Sequence, residues 1–167
     1  MTVIKPVNVL GLLSTSSLEG VYVALLNTDG VDVFDYGRLR HIPYDEALRE
    51  KIRHLLGTCP YTPEAVAEFQ AVNRELTVFH AEIVKDYIAA NGVEVDVIGY
   101  EGINLTNYAS GGETGLLGDG KLLAELTGIR VVCNFHAADI RAGGQGAPLI
   151  PVYHAALCAD MEKPIAV

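Results

Sequence analysis

The sequence predicts an α/β domain built on a mixed β-sheet, and three observations carry that expectation. The N-terminal region holds three short apolar runs separated by turn residues, the pattern of an antiparallel meander. The middle holds a long stretch in which apolar residues recur every three or four positions, the period of an amphipathic helix. The second half alternates apolar runs with helical ones, as in folds with parallel strands. Of 167 residues, 50% are hydrophobic and 20% charged, which fits one globular domain over 1–167 and excludes a disordered or fibrous chain.

Val7 to Leu13 (VNVLGLL) is nearly all apolar, and its length and β-branched content suit a buried strand. Ser14-Thr15-Ser16-Ser17 makes a small polar loop. Val21 to Asn27 (VYVALLN) reads as a second strand, and Thr28-Asp29-Gly30 supplies an Asp-Gly turn that launches a third, Val31 to Leu39. Past Pro43, Ala47, Leu48, Ile52, Leu55 and Leu56 recur at helical spacing until Gly57 stops the run. Thr62-Pro63-Glu64 then sets a capping hydroxyl before a proline suited to the first helical position. Val66, Phe69, Val72, Leu76, Phe79, Ile83 and Tyr87 continue a stripe to Asn91-Gly92, predicting a helix of about 28 residues. His80 lies beside that stripe with no partner near it in sequence and reads as a partly buried, space-filling histidine.

Val95 to Tyr100 (VDVIGY) is a fourth strand, and Gly111-Gly112 marks a loop. Asp119 begins a helix over Lys121 to Leu126 that ends at Thr127-Gly128, and Ile129 to Cys133 (IRVVC) is a fifth strand. Gly143-Gly144-Gln145-Gly146 then precedes Ala147-Pro148, where proline suits the start of a helix over Leu149 to Leu157.

With 12 Lys+Arg against 21 Asp+Glu the formal charge is −9, so a nucleic-acid partner is disfavoured. Cys59, Cys133 and Cys158 are scattered and odd in number, which suggests neither a disulfide framework nor a zinc site and fits a reducing, cytoplasmic setting. No stretch reaches the roughly 18 apolar residues of a membrane span, and Met1 to Val9 lacks the apolar core of a signal peptide.

Three segments point to chemistry. The hydroxyl-rich loop Ser14 to Gly20 can cradle a phosphate, although serine-rich turns also arise for plain turn-forming reasons. Gly143 to Pro148 sets three glycines just ahead of an expected helix, offering backbone N–H groups to an anion or a sugar oxygen; otherwise it is a connector. Asn134-Phe135-His136-Ala137-Ala138-Asp139 follows the fifth strand, where side chains of α/β folds face a cleft. His136 and Asp139 can form an acid/base pair, and Asp139 can equally cap the next turn. Glu101 holds the matching place after the fourth strand.

Read in order, these segments resemble the N-terminal half of the anhydro-N-acetylmuramic acid kinases, sugar kinases of the actin-like ATPase superfamily. The likeness runs along the whole chain and is sharpest over Gly11 to Gly20, Asp96 to Gly102, Gly118 to Gly128 and Val131 to Ala156. Its most specific stretch is Gly143 to Leu149 (GGQGAPL), followed by Pro151 and His154. The resemblance implies a ribonuclease-H-like mixed sheet flanked by helices, one of the family's two domains, with the C-terminal nucleotide-binding half absent. It implies ATP and Mg²⁺ as cofactors and a reaction that opens a 1,6-anhydro ring and phosphorylates O6 in cell-wall sugar recycling. It further implies Ser14, Thr15, Ser16, Ser17, Glu19 and Gly20 against the nucleotide phosphates. Glu101, Asp119, His136, Asp139, Gly143, Gly144, Gln145 and Gly146 would face the sugar, and Asn134 holds the place of the catalytic base.

The departures fall on polar positions. Against the family pattern Ser-Gly-Thr-Ser-x-Asp-Gly, Thr15 replaces glycine, Ser16 threonine and Glu19 aspartate, and Tyr22 replaces a further aspartate. Glu101-Gly102-Ile103-Asn104 replaces His-Gly-Gln-Thr, Leu116 replaces glutamine, and Asn134-Phe135-His136 replaces Asp-Phe-Arg. An amide at 134 has no useful basicity. Asp119, Asp139, Gly143, Gly144, Gln145 and Gly146 match. These differences predict a kinase-like chain that is inactive or impaired and binds ATP weakly. The alternatives are a non-catalytic sugar-binding or interaction module, and a split kinase completed by a separately encoded C-terminal half. Expected partners are an anhydro-sugar and either that half or a second copy, joined through the start of a sixth strand at Ile165 to Val167.

Overall fold

The computed structural model describes residues 5–56, 62–105 and 116–158. The chain divides into two compact units, Met1–Cys133 and Asn134–Val167. Gly57, Gly111-Gly112 and Ile165 to Val167, to which the sequence assigned a helix stop, a loop and a strand start, lie outside the described residues.

The first unit runs β1 (Val7–Ser14), β2 (Gly20–Thr28), β3 (Val33–Tyr36), β4 (Arg40–Pro43), α1 (Glu46–Leu55) and α2 (Pro63–Asn91). It continues with β5 (Val97–Glu101), β6 (Ile103–Asn104), β7 (Leu116–Leu117), α3 (Gly120–Thr127) and β8 (Arg130–Cys133). Its six-stranded sheet has the order β3-β2-β1-β5-β8, with β4 pairing β2 beside β3. β1 and β2 pair antiparallel from Val7 opposite Thr28 to Ser14 opposite Val21, whereas β1, β5 and β8 run parallel. Consequently Ser14, Glu101 and Cys133 end their strands at the same edge of the sheet, the edge where open α/β sheets carry their sites.

The strand expected over Val31 to Leu39 is shorter, β3 over Val33–Tyr36, and β4 over Arg40–Pro43, which was not expected, follows it, so the sheet has six strands and not five. Pairing of β3 with β2 shifts register between Asn27 and Thr28, and β4 then takes the other end of β2, Gly20 to Val23. Gly37 lies in the break: its N–H donates to the Leu25 carbonyl at 2.9 Å, and a Cβ there would lie 2.7 Å from that of Leu25.

Both long helical readings match their caps. The Asp45 carboxylate accepts from Leu48 N–H at 2.8 Å and starts α1, whose Leu48, Ile52 and Leu55 are buried. The Thr62 hydroxyl accepts from Ala65 N–H at 3.2 Å, and α2 runs 29 residues to Gly92, which takes the left-handed conformation that ends helices. Val72, Leu76, Val84 and Tyr87 of α2 join Leu10, Leu12, Val21, Val23 and Ile98 of the sheet in one buried cluster. Apolar packing of this kind is the main favourable term in folding. The two-residue ribbon β6–β7 was not expected, being too short to carry a period; Gly102 permits it, since a Cβ there would strike the Leu117 carbonyl.

In the second unit the helix expected over Leu149 to Leu157 begins later, as α5 (Pro151–Leu157), with Pro151 and not Pro148 at its start. Ahead of it lies a further helix, α4 (Phe135–Arg141), whose seven residues give too few turns for a readable stripe.

Gly20 ties the loop after β1 to β4. Its φ is +147°, and a Cβ would collide with the Ile42 carbonyl. Gly20→Ala is expected to lower unfolding free energy in urea by about 2–3 kcal/mol. Gly30→Ala, at φ +91° in open space, is expected to cost about 1 kcal/mol.

Candidate functional site

The loop that leaves β1 is anchored from below. Leu18 is buried in the core at a φ of 57°, and its N–H donates to the Thr15 carbonyl at 3.1 Å, closing the turn. Arg49 of α1 donates from Nε to the Leu18 carbonyl at 3.1 Å. Ser14 also points inward: its Oγ accepts from the Tyr44 hydroxyl at 2.9 Å and lies 2.7 Å from His80 Nε2. The outward hydroxyls are therefore those of Thr15, Ser16 and Ser17, with Thr15 Oγ1 and Ser17 Oγ bonded at 2.6 Å.

His80 departs from its sequence reading. It is fully buried and not partly so, and its partners lie far off in sequence: Ser14 on one ring nitrogen and the Tyr100 hydroxyl at 3.1 Å from Nδ1. Burial pushes its pKa down to about 3, against a smaller upward pull from the Leu76 carbonyl, so the ring is neutral. Burial likewise raises the Tyr100 phenol. Sequence reasoning missed Tyr44, Tyr100, Thr77 and Asn73 in this cluster. The available signal was the polar spacing Asn73, Thr77, His80 on a helix whose neighbouring positions are apolar.

Register places four further side chains in one row on one face of the sheet: His41 opposite Tyr22, Tyr22 opposite Leu13, and Leu13 opposite Glu101. Tyr22 stacks on His41 with ring centres 4.5 Å apart and donates its hydroxyl to Glu19 Oε2 at 3.2 Å. This bond and the carboxylate charge raise the Tyr22 pKa. Glu101 is the last residue of β5 rather than part of a following loop, and the row separates it from Tyr22 by one strand. Asp119 caps α3: its Oδ1 accepts from Lys121 N–H at 3.0 Å and Leu122 N–H at 2.9 Å.

In the second unit, Asn134 precedes α4 in the left-handed region, φ 60° and ψ 45°, which asparagine tolerates better than most residues. Asp139 lies within α4, and its bonds go to the turn that follows that helix. Its Oδ2 accepts from Gly146 N–H at 2.7 Å and its carbonyl accepts from Gly144 N–H at 2.9 Å. A Cβ at Gly144 would run into the Asp139 carboxylate. The Gly143 to Gly146 loop is thus shaped by Asp139; since α5 starts at Pro151, the expected helix dipole does not bear on it. His136 is buried, at 3% exposure.

The family model for anhydro-N-acetylmuramic acid kinase matches residues 7–167. The chain belongs to the anhydro-N-acetylmuramic acid kinase family. Curated relatives of that name agree: the protein of Rhodospirillum rubrum is 45% identical over 157 residues, covering 94% of this chain and 41% of the relative. That of Paramagnetospirillum magneticum is 43% identical over 161 residues, covering 95% and 43%. That of Gluconobacter oxydans is 41% identical over 159 residues, covering 95% and 44%. The chain spans less than half the length of these kinases. The sheet order, a meander followed by two parallel strands with helices between, is the ribonuclease-H-like arrangement of this family. Among the described residues, no helix is long and apolar enough to cross a membrane.

The buried ring predicts a pH dependence. Folded His80 takes a proton only near pH 3, whereas unfolded histidine does so near 6.5, so below about pH 6.5 the unfolded chain binds the extra proton. The contribution of this group is whole above that pH and falls by about 1.4 kcal/mol per unit on acidification toward the folded value. Denaturation between pH 6.5 and 5 should show His80→Gln losing about 2 kcal/mol less than the parent. Equal slopes in the two proteins would contradict the assignment of a neutral buried ring.

Proposed function

We propose that this chain forms the N-terminal half of an anhydro-N-acetylmuramic acid kinase, one ribonuclease-H-like domain over 1–167, which binds an anhydro-sugar but is impaired in phosphoryl transfer. The supporting observation is an asymmetry. The Gly143 to Gly146 loop keeps both its sequence and the Asp139 that shapes it, while Asn134 stands where the resemblance puts the base that takes a proton from water. An amide cannot perform that step near neutral pH.

Thr15, Ser16 and Ser17 offer hydroxyls that suit phosphate oxygens, although Thr15 adds bulk where a glycine would let a phosphate approach the backbone. The fit to Mg²⁺ is poor, since Glu19 is the loop's one carboxylate and already accepts from Tyr22, a phenol that does not serve as a hard-cation ligand near neutral pH. Weak ATP binding follows. Residues that the relatives have beyond the aligned half would come from a further segment or from a separately encoded chain, and a second copy of this chain is a further partner. The cytoplasm supplies ATP and keeps Cys133 and Cys158, both free, reduced.

The test is sugar-dependent ADP release by the chain mixed with the C-terminal half of a relative, together with calorimetric titration of anhydro-N-acetylmuramic acid in the absence of nucleotide. The expected result is sugar binding with little turnover. A base is worth about 10²–10⁴-fold, yet Asn134→Asp alone should recover less than about tenfold, because Thr15, Tyr22, Glu101 and Ile103 remain and such groups act as a unit. Robust turnover by the unaltered mixture would remove the claim of impairment. Absence of any sugar binding would remove the functional reading itself.

A further inference from the structure

Inside its buried face, α2 carries three polar residues at i, i+4 and i+7: Asn73, Thr77 and His80. The first two meet the 118–119 turn, and the third meets the end of β1. Asn73 Oδ1 accepts from Gly118 N–H at 2.5 Å. Thr77 Oγ1 accepts from Asp119 N–H at 3.0 Å and donates to the Asn73 carbonyl at 2.7 Å. His80 lies within hydrogen-bond distance of Ser14 Oγ on one side of its ring and of the Tyr100 hydroxyl on the other.

Tyr44 donates to Ser14 Oγ, which lies 2.7 Å from His80 Nε2, and the Tyr100 hydroxyl lies 3.1 Å from Nδ1 on the other side of the ring. Thr77 and His80 are both fully buried, at 0% exposure. A polar group in such a position is costly unless paired, and an apolar residue would pack there without that cost. Ser14 opens the 14–20 loop and Asp119 lies in the 118–119 turn, two connections that the resemblance places against phosphate and sugar.

We infer that Asn73, Thr77 and His80 are positioning residues, rungs on one rigid helix that hold the 14–20 loop and the 118–119 turn in fixed register with each other. What is positioned, a phosphate site and a sugar site, rests on the proposed function; that the two connections are coupled does not. Tyr100 reinforces the link, since its hydroxyl also lies where a Cβ on Gly118 would be, 2.5 Å away.

The experiment is native-state amide exchange by NMR on the full chain, comparing Thr77→Val, Ser14→Ala, the double variant and, as a control, Ile52→Ala, which opens the core away from the ladder. Thr77→Val should speed exchange at Gly118 and Asp119 at least tenfold beyond the factor common to all core amides, and Ser14→Ala should do the same at Leu18. Their effects should be non-additive in the double variant, because both bonds are made by one face of the same helix. The control should raise all core amides by a single factor. Exchange in Thr77→Val and Ser14→Ala that follows such a single factor, or strictly additive local effects, would overturn the inference. A calorimetric arm adds function: Thr77→Val should weaken anhydro-N-acetylmuramic acid binding at least fivefold, Thr77→Ser should restore it, and Ile52→Ala should leave it unchanged at a temperature where all variants are folded. If the parent binds no sugar, the functional reading fails while the exchange result still decides the coupling.

Discussion

A neutral histidine bonded to a serine in the dry space between sheet and helix is the constraint on which the rest of this domain depends. Removing the Ser14 hydroxyl, the His80 ring and the Tyr100 phenol from water is unfavourable unless every donor and acceptor finds a partner, and in the interior an unpaired one is more costly than at the surface. That requirement fixes where β1 ends, since Ser14 has to face α2. It also fixes the rotation of α2, because Asn73, Thr77 and His80 reach their partners from one side of the helix. The loop that follows Ser14 inherits its starting direction from this bond, and the hydroxyls of Thr15 to Ser17 are the ones left outside.

The sequence made the regular parts legible through residues with a single local meaning. Thr62-Pro63 and Asn91-Gly92 bracket α2 because a capping hydroxyl, a proline at the helix start and a left-handed glycine have few other uses. Asp119 marked α3 for the same reason. Less legible were features set by distant partners. The break between β3 and β4 falls where pairing passes from one end of β2 to the other, and the role of Asp139 depends on Gly146, seven residues away across a bend. His80 was misread because its partners, Ser14 and Tyr100, lie 66 and 20 residues away. A histidine judged only by its sequence neighbours looks like filler.

The row His41, Tyr22, Leu13, Glu101 adds a different lesson. Two positions at which the resemblance places an aspartate and a histidine lie in this chain on the two strands that flank Leu13, and both have changed, one to a stacked phenol and the other to a carboxylate. The exchange moves negative charge from the β2 side of the row to the β5 side. A ligand cation or phosphate held against this face would meet a reversed arrangement, so the two changes act together on electrostatics even though neither disturbs the strand pairing beneath.

What the chain keeps of the family pattern is mostly what its own fold needs. Gly20 leaves no room for a Cβ because of the Ile42 carbonyl, Gly118 because of the Tyr100 hydroxyl and Gly144 because of the Asp139 carboxylate. Asp119 caps α3, and Asp139 holds Gly146. Loss of any of these would cost stability whether or not a reaction takes place, so their presence says little about catalysis. Of the changed positions, Thr15, Tyr22, Glu101 and Asn134 are exposed or half-exposed, where side chains can vary without disturbing the core, whereas Ile103 and His136 are buried. Gln145 separates the two explanations. It matches the family pattern, yet its side chain is exposed in the middle of the glycine loop, where chain conformation is set by Gly144, Gly146 and Asp139. An amide there has both donors and an acceptor to offer a sugar hydroxyl. Retention of Gln145 therefore supports a ligand more directly than retention of the glycines around it, and it does so without requiring the base that Asn134 has replaced.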